Sequence, residues 1–218
     1  MAQPFCRTEP PTEVANSFVE AVNKRQSEIV DDLLTKHSEL RKSVNEHWFS
    51  FDSPAMVAAK DSEAIVRVLL KHGADINQRS SWWAGSFSVL DGASPEMANF
   101  LIERGAKLDI HSAAEQGKLD VVSDFLDAEP ELVNARGGDG QTPLHVAANN
   151  EIAELLLSRG ADQSIRCLDH SATAAQYSVS NPDQCRFLLT RGATPDIFMA
   201  CALGDLSLIH ISEPTRPY

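Results

Sequence analysis

Few residues in this chain are of a type and spacing that could do chemistry. Cys167 and His170 lie three apart with Asp169 between them, a pattern that can begin a metal site. A structural zinc wants a second such pair, and the remaining cysteines, Cys6, Cys185 and Cys201, supply none. The expectation is therefore no metal and no cofactor, with reduced thiols and no disulfide framework. Gly137-Gly138-Asp139-Gly140 is glycine-rich enough to cradle a phosphate, but it lacks the GxxxxGK[ST] pattern and falls where a tight turn is needed. No HExxH and no GxSxG occurs. His111 and His145 sit on apolar stretches and read as hydrogen-bonded core residues, while His37, His47 and His72 read as surface or loop residues. With no clustered acid, base or nucleophile, the chain is not expected to be an enzyme. What stands out instead is aromatic. Trp82-Trp83 follow Arg79-Ser80-Ser81, and Trp48-Phe49-Ser50-Phe51 precede Asp52. Adjacent tryptophans cannot easily enter one layer together, so they either pack across a hairpin or anchor a partner.

The elements that carry these residues announce themselves by repetition. VLLKHGADIN, FLIERGAKLD, LLLSRGADQS and LLTRGATPDI end alike, at Gly73, Gly105, Gly160 and Gly192. The wide middle gap holds a divergent unit, DIHSAAEQGKLDVVSDFLDAEPELVNARG. A period near 32 residues with helical patterning predicts a stacked array. Each unit starts with a short stretch of small residues, such as Ala113-Ala114 or Ala147-Ala148. A more strongly amphipathic helix follows, as in EIAELLLS, where Ile152, Leu155 and Leu156 share a face. An Arg/His-Gly-Ala step ends it, with Gly at the left-handed position past the helix. Ser53-Pro54, Ser94-Pro95, Thr142-Pro143, Asn181-Pro182 and Thr194-Pro195 read as N-cap and first helical position. The pattern predicts helix pairs near 54–72, 87–104, 109–128, 143–159 and 171–191. An N-terminal pair is expected near 13–43, and a last helix from Pro195.

GDGQTPLHVAANNEIAELLLSRGAD, Gly138 to Asp162, resembles an ankyrin repeat. It holds the turn glycine Gly140, the Thr142-Pro143-Leu144-His145 tetrad, the Ala pair, the Leu run and Gly160-Ala161-Asp162. HSAAEQGKLDVVSDFL from His111 matches the interior of the same repeat. At the tetrad's histidine position stand Met56, Leu90, Gln176 and Phe198. Two repeats are short: Leu90 to Gly105 and His145 to Gly160 each lack nearly one helical turn relative to the usual unit. With WWAGSFSVLD and GGDGQTPLH, this is similar to a group of bacterial ankyrin-repeat proteins of unassigned activity. The resemblance implies an all-α ankyrin-repeat solenoid of about six helix pairs plus a truncated seventh. It also implies that Thr142 and His145 hydrogen-bond locally and tie successive loops together.

The domain reading is residues 1–12 as a disordered segment, 13–205 as the ankyrin-repeat domain and 206–218 as an artefactual tail. Leu206 to Arg216 resembles the in-frame translation of a transposase-type sequencing adapter, which implies a longer natural protein. Composition sets further bounds. The 31 Asp and Glu against 19 Lys and Arg, a formal charge of −12, argue against nucleic acid and anionic membrane surfaces. They permit a basic protein partner. At 43% apolar the chain is globular, with no membrane-length apolar run and no secretory signal, so a cytoplasmic location is expected. The functional expectation is a non-catalytic module binding a protein partner, not a small-molecule substrate, on a concave face of fingers and first helices. Trp82, Trp83, Trp48, Arg136, Asp139, Gln141 and Asp169 are the candidate contacts. The alternative is the scaffold portion of a longer, truncated protein whose activity lies beyond residue 205. Each buried Leu, Ile or Val contributes roughly 1.5–3 kcal/mol, so a charge at Leu155 or Leu188 is expected to unfold its repeat.

Overall fold

The computed structural model describes residues 12–205, 207 and 208. The expected disordered segment up to residue 11 and nearly all of the expected tail therefore lie outside the described residues, as do Cys6 and His210. Among the described residues the regular structure is helical, with two isolated antiparallel bridges, Phe49 with Ser53 and Arg166 with Thr173. No described helix is long and apolar enough to cross a membrane. The described residues divide into two compact units, the first ending at residue 108 and the second starting at 109.

The first unit holds α1 (Glu13–Asn23), α2 (Ser27–Lys36), α3 (Ser38–Lys42), α4 (Ala55–Ala58), α5 (Glu63–Lys71) and α6 (Pro95–Ile102). Thr12 caps α1 by accepting from the Ala15 N–H. Helix α2 packs against both α1 and α5, burying Phe18, Leu34, Ile65 and Leu69, while Met56 and Leu101 extend the same core. The second unit holds α7 (Ile110–Glu115), α8 (Leu119–Ala128), α9 (Asn150–Ser158), α10 (Ala174–Tyr177), α11 (Pro182–Thr190) and α12 (Ile197–Leu203). Here α8, α9 and α11 lie side by side, with Leu126, Ile152, Leu156, Cys185 and Leu188 between them. The small residues serve close approach: the Ala148 N–H reaches the Ala114 carbonyl at 3.0 Å.

All four expected glycine stops close the same way. Gly73, Gly105, Gly160 and Gly192 have φ between 86° and 100°. The following alanine N–H reaches back to the carbonyl five residues earlier, as from Ala74 to Leu69 and from Ala161 to Leu156. This is the Schellman arrangement, and it needs the left-handed residue. The starts agree less well. Ser94 and Asn181 cap their helices with proline at the first turn. Ser53 does not, because Pro54 itself occupies the cap position of α4. Asp196, not Thr194, caps α12 by accepting from the Met199 N–H.

The short repeats explain the remaining difference. Neither 87–94 nor 142–149 forms the expected first helix; both run as turns. Without one helical turn of chain, the segment can cross the layer only in a more extended form. Leu155 is also only partly buried, and Leu156 takes the core position.

Candidate functional site

In the first unit two loops meet. The Phe49–Ser53 bridge forces a tight turn, in which Phe51 and Asp52 both take positive φ, 60° and 45°. A bulky residue in that region is an outlier, held there by its surroundings. The next loop is closed by Ser80 N–H to the Phe87 carbonyl, 2.9 Å, and by Arg79, which donates to the Ser86 hydroxyl and carbonyl, each at 2.9 Å. The Ser81 N–H then donates to the Asp52 carbonyl at 2.9 Å, which joins the loops. Their side chains assemble an aromatic surface. Phe51 meets Trp82 edge-on at 5.2 Å and Phe87 at 5.6 Å, and Trp82 meets Trp83 at 5.9 Å. Trp83 is 58% exposed and Phe51 50% exposed, while Trp82 is half-buried.

Trp48, expected among the contacts, is instead a core residue. It is 3% exposed and packs edge-on against Phe18 at 6.5 Å. In Trp48-Phe49-Ser50-Phe51 the first two rings turn inward and the third turns out. The sequence carries no signal for that choice, because the positive φ at Phe51 breaks the periodicity.

Beside this surface, Ser81 and His47 lie 2.7 Å apart, oxygen to Nδ1, a spacing that could activate a nucleophile. The protonation pattern runs the wrong way. The Gln78 amide nitrogen donates to the Asn45 carbonyl at 2.8 Å and faces His47 Nε2 at 3.0 Å, so Nε2 accepts and Nδ1 carries the proton toward Ser81. His47 thus cannot take the Ser81 proton in this arrangement.

In the second unit the Gly137–Gly140 turn brings three candidates together. Asp139 and Gly140 have φ of 55° and 67°, and a Cβ on Gly140 would overlap the Leu168 side chain. The Asp139 carbonyl accepts from the Leu168 and Asp169 N–H groups, 2.8 and 3.2 Å. Ligand atoms of Asp139, Asp169 and His170 consequently lie within 4.8 Å of one another, the one described group whose donor set could hold a metal ion. The Tyr177 hydroxyl bonds His170 Nδ1 at 2.9 Å and lies 3.7 Å from Cys167 Sγ. Cys167 itself is buried. Burial, then the neighbouring Cys167, pushes the Tyr177 hydroxyl up to about 12, and a hydrogen bond from Gln141 pulls the other way. Sequence reasoning missed Tyr177, whose partners lie ten and seven residues away. Arg136 is recruited to the fold: one guanidinium nitrogen donates to the Gly140 carbonyl at 2.7 Å and the Arg166 carbonyl at 2.9 Å. Arg136 is nonetheless exposed.

The tetrad histidine behaves as its motif implies. Thr142 donates to His145 Nδ1 from its N–H, 3.1 Å, and its hydroxyl lies 2.8 Å away. Nε2 must then carry the proton, and it donates to the Ala172 carbonyl at 3.1 Å in the next loop. His111 bonds the Ala135 carbonyl at 3.0 Å. Gln176 stands in for histidine one repeat on, closing a reciprocal cap with Thr173. His72 is not a surface residue: its side chain is 7% exposed and lies 2.6 Å from Asp31.

These features agree with the comparisons. A family model of ankyrin repeats in three copies matches residues 110–199, and a single ankyrin-repeat model matches 52–81, together more than half of the chain. The chain belongs to the ankyrin-repeat family. It is 28% identical over 191 residues to the ankyrin repeat and KH domain-containing protein mask-1 of Caenorhabditis elegans, covering 80% of this chain and 7% of that protein. It is 31% identical over 96 residues to ankyrin repeat and SAM domain-containing protein 6 of Rattus norvegicus, covering 42% of this chain and 11% of that one. The chain thus spans only a small part of the length of these relatives. A solved chain from the complex of a predatory endopeptidase with an immunity protein, from Bdellovibrio bacteriovorus, overlaps with a TM-score of 0.45 at 20% identity. That overlap covers 80% of this chain and 97% of that one. Ankyrin repeats are protein–protein interaction modules, generally without catalytic activity.

Proposed function

We propose that this ankyrin-repeat chain is a non-catalytic module that grips a protein partner with the aromatic surface of its first unit. The observation that carries this reading is the joined pair of loops presenting Phe51, Trp82 and Trp83, with two of the three rings at least half exposed. Large exposed aromatics on a braced backbone bury much area on binding at little entropic cost, which is the profile of an interface anchor. Asp139, Gln141 and Asp169, on loops of the second unit, are assigned as polar contacts that set specificity and encounter rate. The test is partner affinity in the full chain. Trp83→Ala should weaken binding about tenfold or more, with a melting temperature close to that of the parent. Unchanged affinity in the folded variant overturns the reading.

A second reading draws on the length of the relatives, of which the chain covers 7% and 11%. In it the repeats are the scaffold of a longer protein whose activity lies elsewhere. The intact reading frame separates the two: further repeats and a polar cap favour the binding module, and an unrelated domain favours the scaffold.

A further inference from the structure

The second unit carries a cavity of about 550 Å³ whose wall includes Asp162, Gln163, Arg166, Gln176, Thr194 and Asp196. On its wall lies a half-made tie between repeats. At two other layers an asparagine joins one repeat to the next. Asn77 donates to the Gly105 carbonyl and accepts from the Lys107 N–H, and Asn134 does the same with Gly160 and Asp162. At the next layer Gln163 donates to the Arg191 carbonyl at 2.8 Å, which fixes the amide orientation. Its Oε1 has no donor, although it is shielded from solvent. Ser164 stands where Asn77 and Asn134 stand in their repeats and bonds back to Asp162, so the tie from Gln163 is one-sided.

The chemistry of the opening is one-sided. Residues 109–208 hold fifteen Asp and Glu against six Lys and Arg. The arginines are occupied: Arg136 as above, Arg159 by Asp127, Arg186 by the Leu203 carbonyl and Asp205, Arg191 by Glu154. Arg166, the one cation on the wall, donates to the Ser171 carbonyl and to Gln176 Oε1. Two carboxylates remain. Ser164 holds Asp162 below the usual carboxylate range through its hydroxyl and N–H. Asp196 is kept in place by the Met199 N–H and the Gln176 amide.

We infer that this cavity seats an arginine or lysine side chain presented by a basic segment of a protein partner. The inference rests on the binding-module reading and adds the partner's chemistry. Charge complementarity selects the occupant: two carboxylates face one guanidinium that is already bonded, and the unpaired amide oxygen takes a donor once the wall adjusts.

The probe is a fluorescent, end-capped octapeptide of alternating arginine and alanine, titrated against the full chain by anisotropy. A glutamate–alanine counterpart and inorganic phosphate serve as competitors. Asp162→Asn, which keeps the acceptor for Ser164, should weaken binding about tenfold, as expected for a lost charge-assisted bond. Asp120→Asn removes the same charge from exposed α8 and should change affinity less than about twofold. Thr194→Arg should abolish binding and Thr194→Glu should tighten it; a gain cannot arise from misfolding. Equal effects of Asp162→Asn and Asp120→Asn, no binding of the basic peptide, or capture of phosphate or the acidic peptide by Arg166 would each overturn the inference. Trp83→Ala should leave peptide binding intact. A partner lost on Trp83→Ala while the peptide never binds therefore defeats this inference alone.

Discussion

Replacing His145 by leucine isolates the hydrogen bonds that tie one repeat to the next. Leucine keeps an apolar side chain of similar size in a site only 8% exposed, so little cavity forms. It strands the buried Thr142 N–H and hydroxyl, which now face Nδ1 at 3.1 and 2.8 Å, while the Ala172 carbonyl loses Nε2 but keeps the Cys167 N–H at 2.9 Å. Each stranded buried group costs about 1–3 kcal/mol, so the variant should lose about 2–6 kcal/mol. A pH signature accompanies the loss. Burial holds the His145 pKa below its ordinary value of 6.5. In the unfolded chain the imidazole returns to that value, so below it the unfolded state binds a proton that the folded state excludes. Stability contributed by the neutral ring is thus fully present above 6.5 and falls as the pH drops toward the lower folded value. Urea unfolding followed by circular dichroism at pH 7.5 and 5.5 reads both effects. The parent should weaken between the two, and His145→Leu should weaken less. A variant within about 0.5 kcal/mol of the parent at pH 7.5, or one retaining the full pH response, refutes the reasoning.

Other outcomes follow from the same structure. Phe51→Gly should be more stable than Phe51→Ala by about 1 kcal/mol, because both lose the ring contacts but only glycine accepts a φ of 60° freely; equal melting temperatures would contradict the strain. Leu188→Asp places a charge at a fully buried position between helices and should abolish the cooperative transition of the second unit, measured by hydrogen exchange over 109–208. Trp82→Ala should lower stability more than Trp83→Ala, since Trp82 is half-buried against Phe51 and Trp83 is mostly exposed; thermal melts give the order.

The repeat frame was legible because its signals are local. A glycine that must take positive φ, a basic residue before it and a Leu run at helical spacing each act within one turn of chain. The four glycine stops therefore fall where expected, and so do the partners of Thr142 and His145. The first helices of the short repeats were not legible as turns. The missing residues were visible at Leu90–Gly105 and His145–Gly160, but whether the deficit shortens a helix or removes it depends on how far the segment must span. The site was legible in part. Trp82-Trp83 fall on the loop that exposes an aromatic ring, and Asp139 and Asp169 lie together. Trp48 was misplaced because Phe51 and Asp52 break the alternation that would have told inside from outside. The cavity beside Gln163 lies in the layer where Ser164 stands at the asparagine position, and no repeat motif marks it.

The central claim is that the exposed aromatic loops of the first unit are where a partner sits. Site-specific photo-crosslinking tests it most directly, with a benzoylphenylalanine at position 83 and, as the control, at exposed position 103 of the same unit. The full chain is irradiated in extract of the cells that express it. The account predicts a discrete protein adduct from position 83, absent from position 103 and competed away by excess parent chain but not by Trp82→Ala. No adduct at position 83, or the same adduct from both positions, contradicts it.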